Sequence, residues 1–485
     1  MLRQTRIRWL SAIAFFLMLL PACAVNPATG KRQLMLVSES QEIQLGLEND
    51  RALTAQLGLY PDDALQAYVQ RLGTEIAAKS ERANLDWQFR VVDDPVVNAF
   101  ALPGGFIYIT RGILAHFNNE AELASVIGHE IGHVTARHGA NQMSKAQLAQ
   151  VGMLGGAIFA PKRMEQFGQF AQTSLSLMFL KFSRDDETQA DDLGLRYMIA
   201  GGYDPRPMPD VFDTLGRVGA AHGGERLPGW MSTHPHPANR RDRINGHIAA
   251  GGEDFSARPV RRDEYLARID GIMFGEDPQQ GYFKEGLFLH PEMQFQLRFP
   301  DGWKTSNQRQ AVAGISPEQD AMVQLSLAAE ASATAAYQKF FSQEGGPQRA
   351  DYPVRMTGGL PSVGSGFVVE TQEGKIQGLV AFVEHGGRVF QLLSYTIQTQ
   401  WGNRGRALES SVTSFDALQD RRAIDARPKR VDIVTPSSSM SAHEFARRYD
   451  ASVEPETLAL INGMNTDGRF QAGRSYKVVT GGHEP

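Results

Sequence analysis

At 485 residues and roughly 150 residues per domain, the chain has room for about three domains, which excludes a single small module. Its 42% hydrophobic and 21% charged content is ordinary for a globular protein and excludes wholesale disorder, collagen-like repetition and a polytopic membrane protein. The net charge of −5 leaves no cationic footprint for nucleic acid, and a single cysteine excludes an intramolecular disulfide and a cysteine-cluster metal site.

Arg3, Arg6 and Arg8 precede an apolar run from Trp9 to Leu20, followed by Pro21-Ala22-Cys23. At 1.5 Å per residue that run spans ~18 Å, short of the ~30 Å hydrocarbon core, so residues 1–22 read as a cleaved secretory signal and not as a spanning helix. The four residues ending in Cys23 resemble a bacterial lipobox, which implies that the Cys23 thiol is acylated. Ala24 stands where an inner-membrane retention aspartate would be, so the resemblance implies an outer-membrane anchor facing the periplasm. Removing residues 1–22 takes three arginines and no acid, moving the net charge to −8 and leaving the acyl chains as the anchor.

Residues 38–58 and 61–79 carry helical periodicity, the first behind a Ser/Glu start. Strands are predicted over 87–92 and 106–109, the second introduced by Pro103-Gly104-Gly105. Asn118 and Asn119 offer N-cap oxygens and Glu120 and Glu122 suit the positive end of the dipole. With the apolar stripe Leu123, Val126, Ile127, Ile131 and Val134, they predict a helix over 119–138. A further helix runs from about 185 to 200 and stops at Gly201-Gly202 and Pro205. Between the two, residues 146–160 carry no charge; they read as a core helix with a small-residue face, with a lid over 146–180 or a membrane-apposed segment as the alternatives.

The composition shifts near residue 275. Met293 to Phe299 alternate strictly and stop at Pro300-Asp301-Gly302, and strands over 322–328, 366–370, 376–384 and 388–396, with helices over 333–341 and 405–415, complete an antiparallel α+β module at 276–418. Its strand pattern around the FPDGW segment resembles PsbP-like modules. Residues 419–431 read as a charged, solvated linker. The order strand, helix, helix, strand over 432–485 resembles a LysM unit, with Ser437-Ser438-Ser439 in place of that module's usual turn.

His129-Glu130-Ile131-Gly132-His133 lies inside the predicted helix. Four residues advance a helix by ~400°, so the two imidazoles stand on one face, one turn apart, as two ligands of one tetrahedral zinc must. A catalytic zinc takes a third protein ligand and keeps one position open. Glu187-Thr188-Gln189-Ala190-Asp191 puts two carboxylates on one face of the later helix, where Glu187 would complete the set and Asp191 would orient a ligand imidazole. Asp185, Asp186 and Asp192 are chemically equivalent competitors.

The pair HEIGH at 129–133 and ETQAD at 187–191 resembles the HtpX/BepA-like zinc metallopeptidases, relatives of the CaaX prenyl proteases. The run from Asn98 to Gly105 and the Arg137-His138 helix ending add to that resemblance, which covers about residues 35–250. It implies Glu187 as third ligand to one zinc per chain, Asp191 as its supporting carboxylate and Glu130 as the general base. Ser232-Thr233-His234-Pro235-His236-Pro237 resembles the family's His-Pro loop. His234 would there fill the resting metal's fourth position or stabilise the oxyanion; the alternatives are His236 and an exposed turn histidine. Phe106, Ile107, Tyr108 and Ile109 are expected to form an edge strand that takes extended substrate by backbone pairing, with a plain core strand as the other reading of the same alternation.

The expected architecture is α+β: a mainly helical zincin-type peptidase domain with a small sheet at 23–275, then the module at 276–418, the linker at 419–431 and the LysM-like unit at 432–485. The expected function is a periplasm-facing zinc endopeptidase acting on unfolded or partly folded envelope proteins. The alternative is an envelope assembly or peptidoglycan-binding lipoprotein with low or gated cleavage.

Overall fold

The computed structural model describes residues 23–154, 181–221, 230, 233–234, 239–342, 346–371 and 374–482. The expected signal at 1–22, residues 155–180 of the uncharged segment and lid, and His236 lie outside them. The chain is a mixed α+β protein with several sheets. It divides into two compact units, one reaching to Phe274 and including Arg430–Thr480, the other holding Gly275–Lys429.

In the first unit, helix α1 (Glu39–Leu57) starts on a capping box between Ser38 and Gln41, and α2 (Asp63–Ala77) is capped by Asp62. A three-stranded sheet follows, of β1 (Gln88–Val92), β2 (Ala99–Leu102) and β3 (Phe106–Thr110), in the order β1-β3-β2. The strand holding Phe106, Ile107, Tyr108 and Ile109, expected at an edge, is therefore the central one. It pairs parallel with β1 and antiparallel with β2, and all five of its residues are buried.

The reason lies in the turn that precedes it. Gly104 and Gly105 adopt φ of +88° and +105°, which folds β2 back onto β3, while β1 closes the other flank. The outer side of β1 is occupied by α2: Gln66 Nε2 donates to the Val91 carbonyl at 2.7 Å and Gln66 Oε1 accepts the Val91 N–H at 2.9 Å. Among the described residues, β2 is left as the open edge of this sheet.

After α3 (Arg111–His116) comes α4 (Glu120–Thr135), capped by Asn119, whose side chain accepts the Glu122 N–H at 2.9 Å. Every residue of α4 is buried, and the helix lies against β2. It ends before 138 because Arg137 takes φ +60°, a conformation costing about 1–2 kcal/mol. That conformation is held by Arg137 donating to Glu42 at 2.7 Å and to the Val37 carbonyl at 2.9 Å. The chain then turns into α5 (His138–Leu154). Helix α6 (Arg184–Ala200), opened by a Ser183–Asp186 capping box, crosses α4. α7 (Met208–Ala221) and α8 (Arg240–Ala250) follow.

The α4–α6 crossing is a backbone-to-backbone contact. A Cβ added at Gly194 would meet His129 N at 2.8 Å and Gly128 C at 3.0 Å, and one at Gly132 would meet the Ala190 carbonyl oxygen at 2.9 Å. Only glycines allow the two motif-bearing helices to approach this closely.

Residues 430–480 share the first unit's core. Val431, Phe445, Leu458 and Val478 belong to the same apolar cluster as Leu114, Phe117 and Leu123. Strand Lys429–Val434 lies between Met273–Phe274 and Tyr476–Gly481. Lys477, fully buried, donates from Nζ to the carbonyls of Ala115 at 3.0 Å and Phe117 at 2.6 Å, capping the C-terminal end of α3.

The second unit holds a seven-stranded antiparallel sheet running from the Lys304–Gln308 edge to Gln348–Pro353, and a four-stranded sheet that contains Leu287–His290 and Phe295–Arg298. Gly386 and Gly387, at φ +56° and +73°, make the two-residue hairpin turn that their sequence predicts. The charged stretch 419–431 is not a solvated tether. Arg421–Ile424 is a helical turn, and Ala423 and Ala426 are buried where small apolar residues interrupt the charges.

Candidate metal centre

His129 and His133 point from α4 toward Glu187 on α6, and His234 joins them. One donor atom from each of the four lies within 4.8 Å of every other, and all four residues are buried. His129 Nε2 is 3.0 Å from His133 Nε2, 3.6 Å from Glu187 Oε2 and 3.3 Å from His234 Nδ1. His133 Nε2 is 3.4 Å and His234 Nδ1 2.9 Å from Glu187 Oε1. Ligands ~2.1 Å from a common tetrahedral centre lie ~3.4 Å apart, so these spacings fit a single ion.

The hydrogen bonds behind the imidazoles fix which atoms face inward. Asp191 Oδ1 accepts from His129 Nδ1 at 2.9 Å, which leaves the His129 Nε2 lone pair toward the cluster. Gln189 Oε1 accepts from His138 Nε2 at 2.8 Å; His138 Nδ1 then accepts from His133 Nδ1 at 2.9 Å, which leaves the His133 Nε2 lone pair inward as well. Two lone pairs 3.0 Å apart beside a carboxylate repel unless a cation lies between them. The donor set therefore fits a metal ion, and its nitrogen and oxygen chemistry suits zinc.

Burial pulls the His129 imidazole down to about 3, favouring the neutral, ligating form. Burial alone would raise Glu187, but His234, His133 and His129 outweigh it and hold the carboxyl well below the usual range. Asp191 is likewise brought down to about 2, by Arg240 and His129 against its burial. Glu130 goes the other way: burial, reinforced by the Glu187 charge, pushes it up to about 8. Both Glu130 oxygens lack a hydrogen-bond partner among the described residues. Oε1 lies 3.6 Å from His234 Nε2.

The structure thus brings together His129, Glu130, His133, Glu187, Asp191 and His234. Of the competing carboxylates, Asp186 belongs to the Ser183 cap and Asp192 pairs with Arg243. The main chain of Cys23 lies in a short hairpin strand remote in sequence from this cluster.

Several neighbours were not foreseen from the sequence. Arg240, opening α8 and fully buried, donates from Nε to Asp191 Oδ2 at 2.9 Å and from Nη2 to Asp191 Oδ1 at 2.5 Å, with Nη1 3.4 Å from Glu187 Oε2. Phe182 stacks on His133 with ring centroids 4.0 Å apart, and Trp230 on His234 at 4.2 Å. Arg240-Arg241-Arg243 shows in the sequence only as a basic run, and nothing local marks which arginine turns inward.

Residues 63–248 match the family described as Peptidase family M48. The chain is 40% identical over 165 residues to the mitochondrial metalloendopeptidase OMA1 of Arabidopsis thaliana, an alignment covering 33% of this chain and 31% of that protein. It is 30% identical over 250 residues to the beta-barrel assembly-enhancing protease of Escherichia coli (strain K12), covering 48% of this chain and 51% of the other. The chain therefore matches about half the length, or less, of these relatives. Cyanobacterial PsbP from Synechocystis aligns over 28% of this chain and 95% of its own, at 12% identity and a TM-score of 0.24.

Proposed function

The chain carries a peptidase family M48 domain over residues 63–248, and on that premise we propose that it is a zinc-dependent endopeptidase cleaving unfolded or misassembled proteins of the bacterial cell envelope. The observation that carries this reading is the convergence of two inward lone pairs and a carboxylate beside an unpartnered, buried Glu130.

His129, His133 and Glu187 would hold one zinc, with Asp191 and Arg240 fixing the imidazole and carboxylate orientations. When bound, zinc supplies Lewis-acid polarisation of a carbonyl and acidifies water toward pKa ~7. Glu130 accepts the proton of the attacking water and returns it to the leaving amine. Extended substrate lies along β2. The Thr110 N–H bonds the Asn98 carbonyl, and antiparallel alternation then leaves the backbone groups of Ala99 and Ala101 directed away from β3. Pairing through backbone groups demands little side-chain specificity, as substrates without a fixed fold require.

His234 lies within the donor cluster and favours a resting state in which its imidazole closes the site. Its Nε2 already lies 3.6 Å from Glu130 Oε1, so a small displacement from the cluster would leave it as a donor to the oxyanion. The lipobox-like residues ending in Cys23 and the naming of relatives as beta-barrel assembly-enhancing proteases support an outer-membrane, periplasm-facing location. The closed His234 also supports a second reading, an assembly factor with gated cleavage, in which the LysM-like segment holds peptidoglycan.

Metal content and cleavage of reduced, carboxymethylated casein by the full chain test the first reading. Glu130→Gln is expected to keep one zinc per chain and lose at least a thousandfold in kcat/KM; a variant that still cleaves removes Glu130 as the base. His234→Ala is expected to raise basal cleavage, and unchanged activity removes the gate.

A further inference from the structure

Alternate backbone groups of the chain entering β2 face away from β3. The Asn98 carbonyl is taken by the Thr110 N–H, so the backbone groups of Val97, Ala99 and Ala101 point to the open edge. The slot at Val97 is already filled, because the Trp230 N–H donates to the Val97 carbonyl at 3.4 Å. The edge therefore offers pairing at Ala99 and Ala101, and a chain laid along it leaves the strand where Trp230 stands.

Trp230 is tied on three sides. Its N–H is held at the edge, and its carbonyl accepts the His234 N–H at 2.8 Å and the Thr233 hydroxyl at 3.2 Å. Its indole stacks on His234 with centroids 4.2 Å apart and lies 5.3 Å from His129. The residue thus spans the gap between the end of the open edge and the metal-binding imidazoles. One polar group remains unused: Trp230 is 1% exposed, and its Nε1–H has no partner among the described residues.

A buried indole N–H is ordinarily bonded, and leaving it unmet costs about 1–3 kcal/mol. Packing against His234 calls for a flat ring and no donor. Indole nitrogen donates and cannot accept, so the missing partner is an acceptor. Where an extended peptide passes from the edge strand to the ligands, the acceptor present at every residue is the main-chain carbonyl.

On the premise that this centre is a peptidase fed along β2, we propose that Trp230 is a positioning residue for the substrate. Its Nε1–H donates to the main-chain carbonyl lying between the residue paired with Ala99 and the scissile bond. The contact fixes the depth to which the chain enters the site without selecting a side chain.

The test uses the full chain and fluorescein-labelled, reduced, carboxymethylated casein. Trp230→Phe keeps a ring against His234 and removes the donor. With zinc bound, KM is expected to rise about three- to tenfold, the factor of one neutral hydrogen bond made equally in the ground and transition states. The kcat should stay within about twofold of wild type, with zinc content unchanged. In EDTA, where cleavage plays no part, the Kd for the same casein, read by anisotropy, should rise by a similar factor. Unchanged KM and Kd, a loss confined to kcat, or a loss of zinc that accounts for the whole effect would each overturn the proposal. A wild-type chain that binds zinc but never cleaves removes the peptidase reading, and the Kd comparison still decides on Trp230. Should Trp230→Phe fail to fold, benzothienylalanine in place of Trp230, which keeps both fused rings and lacks the N–H, gives the deciding KM and Kd.

Discussion

Arg240→Met removes the buried cation behind the metal centre while keeping much of the side-chain volume. Arg240 grips Asp191 through two nitrogens and stands 3.4 Å from Glu187. Deleting one partner of such a buried pair costs about 3–5 kcal/mol. Arg243 remains 2.8 Å from Asp191 Oδ2, which puts the expected loss near the lower figure, about 3 kcal/mol. For a unit of this size each kcal/mol moves Tm by about 2–4 °C, so the variant should melt about 6–12 °C lower in EDTA, followed by circular dichroism. A second arm uses pH. The folded Asp191 carboxyl, at about 2 against an ordinary 3.8, contributes stability that is present above pH 3.8 and lost as pH falls through about 2. That difference is worth about 2 kcal/mol. Without Arg240 the folded value moves back toward 3.8, and the acid slope flattens. A melting point within about 2 °C of wild type, with the same acid slope, would refute the assignment of Arg240 as the cation that orders this site.

Three further outcomes follow from the geometry. Gly194→Ala forces a Cβ to within 2.8 Å of the His129 backbone nitrogen and should cost about 1–3 kcal/mol. Because it separates the two ligand helices, it should also weaken zinc binding at least tenfold by competition titration; unchanged affinity would show that the crossing does not set the ligand spacing. Lys477→Met leaves the Ala115 and Phe117 carbonyls without their Nζ donor and should lower stability by about 1–3 kcal/mol. It should also expose residues 430–480 to limited proteolysis, and a cleavage pattern matching wild type would count against the lysine as a clasp. In metal-free protein, Glu130 has a folded value of about 8 against 4.5, so its contribution is full below pH 4.5 and is lost as pH rises through 8. Urea midpoints in EDTA should therefore fall from pH 5 to pH 8 more steeply in wild type than in Glu130→Gln, and parallel slopes would contradict the burial argument.

The helices bearing HEIGH and ETQAD were legible because period, caps and motif spacing are local: Asn119 and Gly201 mark ends that the structure keeps within a residue or two. The position of the Phe106–Thr110 strand was not. Alternation tells that a strand is buried, but whether both flanks are paired depends on where Gln88–Val92 lands, a contact made across the sheet. Arg240 was hidden for the same reason, since its partner Asp191 is 49 residues away. The glycines at 128, 132 and 194 read as weak helix positions until the crossing shows that they are what lets α4 and α6 touch. Gln189 and His138, which set the His133 tautomer, carry no sequence signal of that duty.

The first unit's core is closed by residues far downstream in the chain. Strand Tyr476–Gly481 and Lys477 reach back to carbonyls at Ala115 and Phe117, more than 350 positions earlier. During synthesis, the segment holding HEIGH appears long before the lysine that caps the helix preceding it. A chain whose Tyr476–Gly481 strand has not yet been made therefore holds these side chains on an unfinished scaffold. Closure of the core around the helices that carry His129, His133 and Glu187 therefore waits on a strand more than 300 residues downstream of the first of them.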